Sequence, residues 1–357
     1  MSLRERLIRD IVEGGPISVA DYMMRCLHDA EDGYYATRPR LGPGGDFITA
    51  PLVSQMFGEL IGLWAVQAWL DAGAPAAFRL VEAGPGDGTL MSDLLRVARL
   101  RPDFLAAADL WLIETSEPLR REQHLRLGDG PKAPKWAAAL EEVPGGAPLL
   151  LVSNELLDCL PVRQFVRTPS GWAERMVGVD AAGALAFGLA PRPELQGPAN
   201  APEGVVIERS PAQEAFGAAL GARIAVDGGA ALLIDYGRDA PGPGDTLQAL
   251  RAHQKEDPLA NPGQADLTVH ADFPAVLAAA RAAGSITAPI LSQGEFLARL
   301  GLIQRAEALT AGAPDRADLI ARQVERLVDP AQMGVLFKAV CVHSPDWPPP
   351  AFDPETA

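Results

Sequence analysis

The sequence predicts an α/β fold: a mostly parallel sheet with helices on both faces, an N-terminal helical extension and an inserted antiparallel β-meander. Three observations predict it. Short, near-continuous apolar runs alternate with helical stretches, as in strands buried on both faces. The first of these runs ends in a loop carrying three glycines. Later the texture changes to short strands separated by tight-turn residues.

In chain order, Met1–Val12 reads as an amphipathic helix with Leu3, Leu7, Ile8 and Ile11 on one side. Gly42 to Pro51 is loop-like, and Leu52–Ala72 has helical apolar spacing (Val53, Met56, Phe57, Leu60, Ile61, Trp64) up to the stop at Gly73. Phe78–Ala83, Leu110–Glu114 and Pro148–Ser153 are predicted strands, with helices over Thr89–Leu100 and Glu117–Leu127 between them. Val162–Thr168, Trp172–Val179 and Ala184–Leu189 form the expected meander, and the proline-rich stretch Pro191–Gly204 connects onward. Ser210, Pro211 and Gln213 carry the signature of a capped helix start. Ala230–Asp235 returns to the sheet, helices follow at Phe273–Ala283 and Gly294–Leu300, and Val335–Val342 is the last strand. The expected segments are 1–72 (helices and a lid loop), 73–161 (first part of the core), 162–204 (meander) and 205–357 (second part of the core).

A formal net charge of −15 and a pI near 4.8 repel phosphate backbones, which argues against nucleic acid and suits a basic protein or peptide. The three cysteines, Cys26, Cys159 and Cys341, show neither zinc spacing nor a disulfide framework, which fits a reducing compartment. No apolar run is long enough to span a bilayer, and Met1–Val12 lacks the apolar centre of a signal peptide. The expected location is a bacterial cytoplasm, or the mitochondrial matrix if the chain is eukaryotic. No metal is expected, because His253, His270 and Asp272 lack the ligand spacing.

The loop Glu82-Ala83-Gly84-Pro85-Gly86-Asp87-Gly88 spaces its glycines as G-x-G-x-G, tighter than the G-x-G-x-x-G of a dinucleotide fingerprint. Such a loop suits S-adenosyl-L-methionine, which has no pyrophosphate to cradle. Gly84, Gly86 and Gly88 let the cofactor approach the backbone, and Glu82 offers an acceptor to its ammonium. Glu114, about 20 to 30 residues on at the end of the next strand, is placed to accept ribose hydroxyls. The plainer reading of Glu114 is a cap for the following helix. A dehydrogenase is disfavoured by the glycine spacing and by the charge of Glu82, and a serine hydrolase by the lack of a G-x-S-x-G elbow.

The third strand ends in Ser153-Asn154-Glu155-Leu156-Leu157-Asp158-Cys159, at the edge where an open α/β sheet binds its ligand. If this segment is a helical turn, Glu155 and Asp158 share a face. The sequence resembles the MidA (DUF185) family of methyltransferases over nearly its whole length. The resemblance rests on Gly45 to Pro51 with Ser54 to Glu59, the glycine loop, Asn154 to Asp158, Asp235-Tyr236-Gly237, Asp245 to Arg251, and Asp266-Leu267-Thr268. Leu52 departs from an expected glutamate, and Asp87 from a common arginine. The resemblance implies a Rossmann-like class I methyltransferase sheet and S-adenosyl-L-methionine as cofactor. Through mitochondrial members that act in complex I assembly, it also implies symmetric dimethylation of an arginine in a respiratory complex I subunit.

A guanidinium nucleophile must be oriented beside a sulfonium, and carboxylates that accept its N–H groups would do this; Glu155 and Asp158 are the candidates. The competing reading has Asn154 and Asp158 shaping the turn and Glu155 contacting the cofactor. Asn154 and Thr49 join the expected cofactor set, Thr49 either through a lid formed by the Gly44–Pro51 loop or as a plain helix N-cap. Trp136 is read as core packing or an adenine stack, and Tyr236 as structural or substrate-facing. A small-molecule methyltransferase and a non-catalytic cofactor-binding assembly factor are the alternatives, and a homodimer is left open.

Overall fold

The computed structural model describes residues 1–37, 49–190, 197–198 and 200–352. Residues 44–48 of the glycine-rich 44–51 loop, and 191–196 and 199 of the proline-rich 191–204 stretch, therefore lie outside the described residues, and with the former the lid expectation. The chain forms two compact units. The larger gathers Ile48–Leu156, Ala215–Asp239 and Phe273–Ala357; the smaller gathers Met1–Phe47, Leu157–Glu214 and Ala240–Asp272.

The larger unit is built on strands β1 (Phe78–Ala83), β2 (Ala108–Ile113), β3 (Lys135–Ala137), β4 (Leu149–Asn154), β5 (Gly229–Arg238) and β6 (Phe337–His343). Their order across the sheet is 6-5-4-1-2-3. The pairs within β5-β4-β1-β2-β3 are parallel, and β6 runs antiparallel to β5. Reversal of the strand order between β1 and β4 is the topological switch point, the crevice where doubly wound sheets bind ligands. In β1, β4 and β5 almost every residue is buried, because helices cover both faces and leave no polar side to alternate.

Three helices flank this crevice or pack behind it: α1 (Gln55–Asp71), α2 (Thr89–Ala98) and α3 (Glu117–Leu127). The continuous helix expected over Leu52–Ala72 breaks at Ser54, whose backbone is extended and whose hydroxyl accepts the Met56 N–H. A short helical piece, Ala50–Val53, precedes it. Thr49 occupies the N-cap position of that piece without a side-chain capping bond, so the plain N-cap reading holds in position but not in chemistry. α1 packs closely on α2: a Cβ at Gly58 would lie 2.5 Å from the Cβ of Asp93, and one at Gly62 would lie 3.0 Å from the Cα of Leu94. Trp64, Phe57 and Leu60 of α1 join Leu90, Leu94 and the sheet in the main core.

The tail holds two helices the periodicity did not reveal, Leu302–Gly312 and Ala317–Val328, and the last strand begins at Phe337, after the turn Met333–Leu336. β3 was also missed, being three residues long.

In the smaller unit the meander forms as expected, with strands Arg163–Thr168, Gly171–Val179 and Leu185–Leu189 pairing antiparallel. Val206–Arg209 and Ile17–Ser18 extend it at its edges. Phe165, Trp172 and Ile207 make its local core. The first helix, Leu3–Gly14, buries Leu3, Leu7 and Ile11 and starts in a capping box between Ser2 and Glu5. Ser210 caps the helix Pro211–Asp227 by accepting the Gln213 N–H at 3.1 Å. The Gln213 amide itself ties Leu157 O to Asp272 N. No helix among the described residues is long and apolar enough to cross a membrane.

Candidate active site

The switch point places three chain segments side by side. Ala83, which ends β1, registers with Ile113 of β2 on one side and Ser153 of β4 on the other. The glycine loop therefore leaves the sheet between Glu114 and Asn154. Gly84 N–H donates to Ile113 O at 3.1 Å, and Gly88 N–H closes a turn on Pro85 O at 2.8 Å. Gly84, Gly86 and Gly88 have φ of 69°, 53° and 82°, left-handed values that glycine adopts without penalty. At Gly84 a Cβ would also press on the Leu156 side chain at 3.0 Å.

Glu82 is 2% exposed, and its Oε2 has no hydrogen-bond partner among the described residues. Burial, then the charges of Asp87 and Glu114, push its carboxyl up to about 8, against a restraining bond from the Met91 backbone N–H. A buried, half-satisfied acid next to a glycine loop is a prepared partner for a cation. Glu114 is also buried, and burial raises its carboxyl above the ordinary range. Its Oε1 accepts the Ser116 N–H at 2.7 Å and its Oε2 accepts from Gln123 Nε2 at 3.2 Å. Glu114 thus does steady the start of α3, as the plainer reading held, though the helix cap itself is Ser116.

Asn154 Nδ2 donates to Glu155 Oε1 at 2.9 Å, and the Ala50 N–H donates to the same oxygen at 3.1 Å. This second bond fastens the start of the Ala50–Val53 piece, and so Thr49, to the end of β4. Asn154 Oδ1 is buried without a partner among the described residues. Glu155 has a φ of +54°, a left-handed conformation uncommon for a residue with a Cβ. The expectation of one helical turn carrying Glu155 and Asp158 is corrected: the 3-10 turn covers only Leu157–Cys159, so the shared-face argument fails. Asp158 belongs to the smaller unit, where it is buried and its backbone O accepts the Val269 N–H at 2.9 Å.

Among the remaining residues the sequence singled out, Tyr236 packs edge-on against Phe337 at 5.3 Å in the core. His270 N–H donates to Thr246 Oγ1. The three cysteines are buried and none is in a disulfide. The described residues include no group of histidines, cysteines and acids that could hold a metal. Trp136 is half-buried against the core, its indole N–H donating to Gln123 Oε1 at 2.8 Å. Gln123 escaped the sequence reading. It is completely buried, in line with the buried Leu119 and Leu127 four residues to either side, a spacing that could have marked it as inward-facing.

Unpartnered oxygens on Glu82 and Asn154, a second acid on Glu114, and a loop whose own charged side chains are acidic suit the ammonium and ribose of S-adenosyl-L-methionine and would repel a pyrophosphate. Fold and site define the class of S-adenosyl-L-methionine-dependent methyltransferases. The family described as "Putative S-adenosyl-L-methionine-dependent methyltransferase" matches residues 60–291, and the chain belongs to it. It is 35% identical to the human protein arginine methyltransferase NDUFAF7, mitochondrial, over 93% of this chain and 81% of that protein. The Drosophila melanogaster homologue is 36% identical over 94% of this chain and 84% of its own length. A crystal structure of a COG1565 superfamily member from Burkholderia thailandensis, bound to S-adenosyl-homocysteine, superposes with a TM-score of 0.83 at 28% identity, covering 98% of this chain and 92% of that one.

Proposed function

We propose that the chain transfers methyl groups to an arginine side chain of a protein, with Glu155 as the acceptor-orienting carboxylate. The observation that carries this reading is the left-handed Glu155 at the end of β4, beside the glycine loop and braced by Asn154 and the Ala50 N–H. Relatives named protein arginine methyltransferases support the acceptor class. When bound, S-adenosyl-L-methionine supplies a methyl group on a cationic sulfonium. In this reading Glu82 accepts the cofactor's ammonium and Glu114 its ribose hydroxyls. Gly84, Gly86 and Gly88 keep the approach clear, and Asn154 and Thr49 border it. Glu155 accepts guanidinium N–H groups, fixing the plane of the nucleophile so that orientation supplies much of the rate. Asp158 is proposed as a second carboxylate on the strength of its place in the sequence motif.

The finer reading is symmetric dimethylation of an arginine in a respiratory complex I subunit, in a bacterial cytoplasm or a mitochondrial matrix. Family resemblance supports it. The test is mass spectrometry of proteins from cells with and without the gene, followed by methylation of the candidate with purified enzyme. Loss of one symmetric dimethylarginine, restored by the enzyme and not by Glu155→Gln, is the expected result. An unchanged arginine methylome, with methylated small molecules instead, overturns it. Asp158→Asn is assayed separately, and unchanged turnover removes Asp158 from the proposal.

A further inference from the structure

Helix α3 does more than extend the chain beyond the ribose acid. Three residues at spacings of three project from it onto both halves of the cofactor site. Arg120 Nε donates to the Glu114 backbone O at 2.7 Å. Gln123 Nε2 donates both to Gly86 O at 2.7 Å and to Glu114 Oε2 at 3.2 Å. Arg126 donates to Asp87 through Nε to the backbone O at 2.9 Å and through Nη2 to the carboxylate at 2.7 Å. Asp87 is thus held by an arginine supplied from the helix.

Gln123 is the centre of this arrangement. Its two amide protons go to two acceptors, and its carbonyl oxygen accepts the Trp136 indole N–H. The indole can only donate, so a flipped amide would set N–H against N–H and oxygen against two oxygens. One side chain therefore has one orientation, and that orientation sets the glycine loop, the ribose acid and Trp136 relative to each other. Oε1 of Glu114 is engaged by Ser116 and Oε2 by Gln123, so both carboxylate oxygens are held.

We propose that Gln123 is a positioning residue for the adenosine half of the cofactor, holding Glu114 in the rotamer that reads the ribose hydroxyls and fixing Trp136 at the edge of that pocket. The proposal rests on Glu114 as the ribose acceptor, and the experiment separates the two claims. Binding of S-adenosyl-homocysteine and of its 2′-deoxy analogue is measured by calorimetry on the full chain, with thermal melts of the unliganded protein alongside. The unaltered protein is expected to prefer the ribose form by about tenfold, the worth of one hydrogen bond to a charged group. Gln123→Met keeps the length but removes the amide, and is expected to shrink that preference below about threefold. Trp136→Phe keeps Gln123 but removes the donor that fixes its amide, and is expected to give an intermediate preference; it carries the test if Gln123→Met does not fold. If the unaltered protein shows no preference, the ribose role of Glu114 fails and the proposal with it. If it shows one that both variants retain, while both affinities fall together with the melting temperature, Gln123 is structural and the proposal is overturned.

Discussion

Asn154 Nδ2 lies 2.9 Å from Glu155 Oε1, so the last residue of β4 holds the first residue beyond it, in a backbone conformation that residue would otherwise avoid. Two jobs meet at this bond. Asn154 presents its own unpartnered Oδ1 at the edge of the sheet, while its amide aims the neighbouring carboxylate. Asn154→Ala should remove both. We expect a roughly tenfold weaker affinity for S-adenosyl-L-methionine, from the lost acceptor, and a loss of about 1 kcal/mol in stability from the bond to Glu155. Calorimetry and denaturant unfolding measure the two effects, and unchanged affinity would remove Asn154 from the cofactor pocket.

Glu155→Gln separates acceptor from cofactor roles. It preserves size and one oxygen, so the Ala50 N–H keeps an acceptor, but it removes the charge that a guanidinium would meet. Turnover should fall by at least about a hundredfold while cofactor affinity stays within about threefold of the unaltered protein. Loss of both would instead assign Glu155 to the cofactor pocket.

How much of the fold and site is legible in the sequence depends on the range of the interactions involved. The ends of β1, the span of α3 and the three meander strands are readable because burial on two faces, helical stretches between apolar strands, and turn residues are local signals. The break at Ser54 is not, because the apolar spacing runs through it and only the extended backbone of one residue reveals it. Glu82, Glu114 and Asn154 can be nominated from their places after strands. That they flank one loop results from the 6-5-4-1-2-3 strand order, which no local pattern contains. The Leu119–Leu127 spacing points Gln123 inward, but its partners are Gly86, 37 residues away in sequence, and Trp136, 13 away, which no local pattern pairs with it.

The break at Ser54 has its own consequence. Its hydroxyl accepts the Met56 N–H at 3.2 Å and meets Gln323 Oε1 at the same distance, tying the start of α1 to the helix Ala317–Val328. Ser54→Ala should cost about 1 kcal/mol, the usual worth of an N-cap, and Ser54→Gly should cost less of the capping component. A melting temperature unchanged in Ser54→Ala would show that Gln323 and the buried face of α1 hold the break without the cap.

Glu82 is expected to make stability and, in its proposed role as acceptor of the cofactor's ammonium, cofactor affinity depend on pH in opposite ways. Burial, with Asp87 and Glu114 adding repulsion, lifts its carboxyl from the ordinary 4.5 to about 8 in the folded protein. The folded chain therefore holds a proton that the unfolded chain releases, so this contribution is fully present below about 4.5 and is lost as pH rises toward 8. Burial of Glu114 acts in the same direction. The unliganded protein should melt at progressively lower temperature between about pH 5 and pH 8 on this account, and Glu82→Gln should flatten the trend. Cofactor binding runs the other way, because an ammonium prefers the ionised carboxylate. Affinity for S-adenosyl-homocysteine should rise by up to about tenfold per pH unit below about 8, with a proton released on binding. Calorimetry in buffers of different ionisation enthalpy counts that proton directly. Binding without proton release near neutral pH, and with the same affinity in Glu82→Gln, would mean that the ammonium is held elsewhere and that Glu82 is simply a buried acid kept neutral by the core.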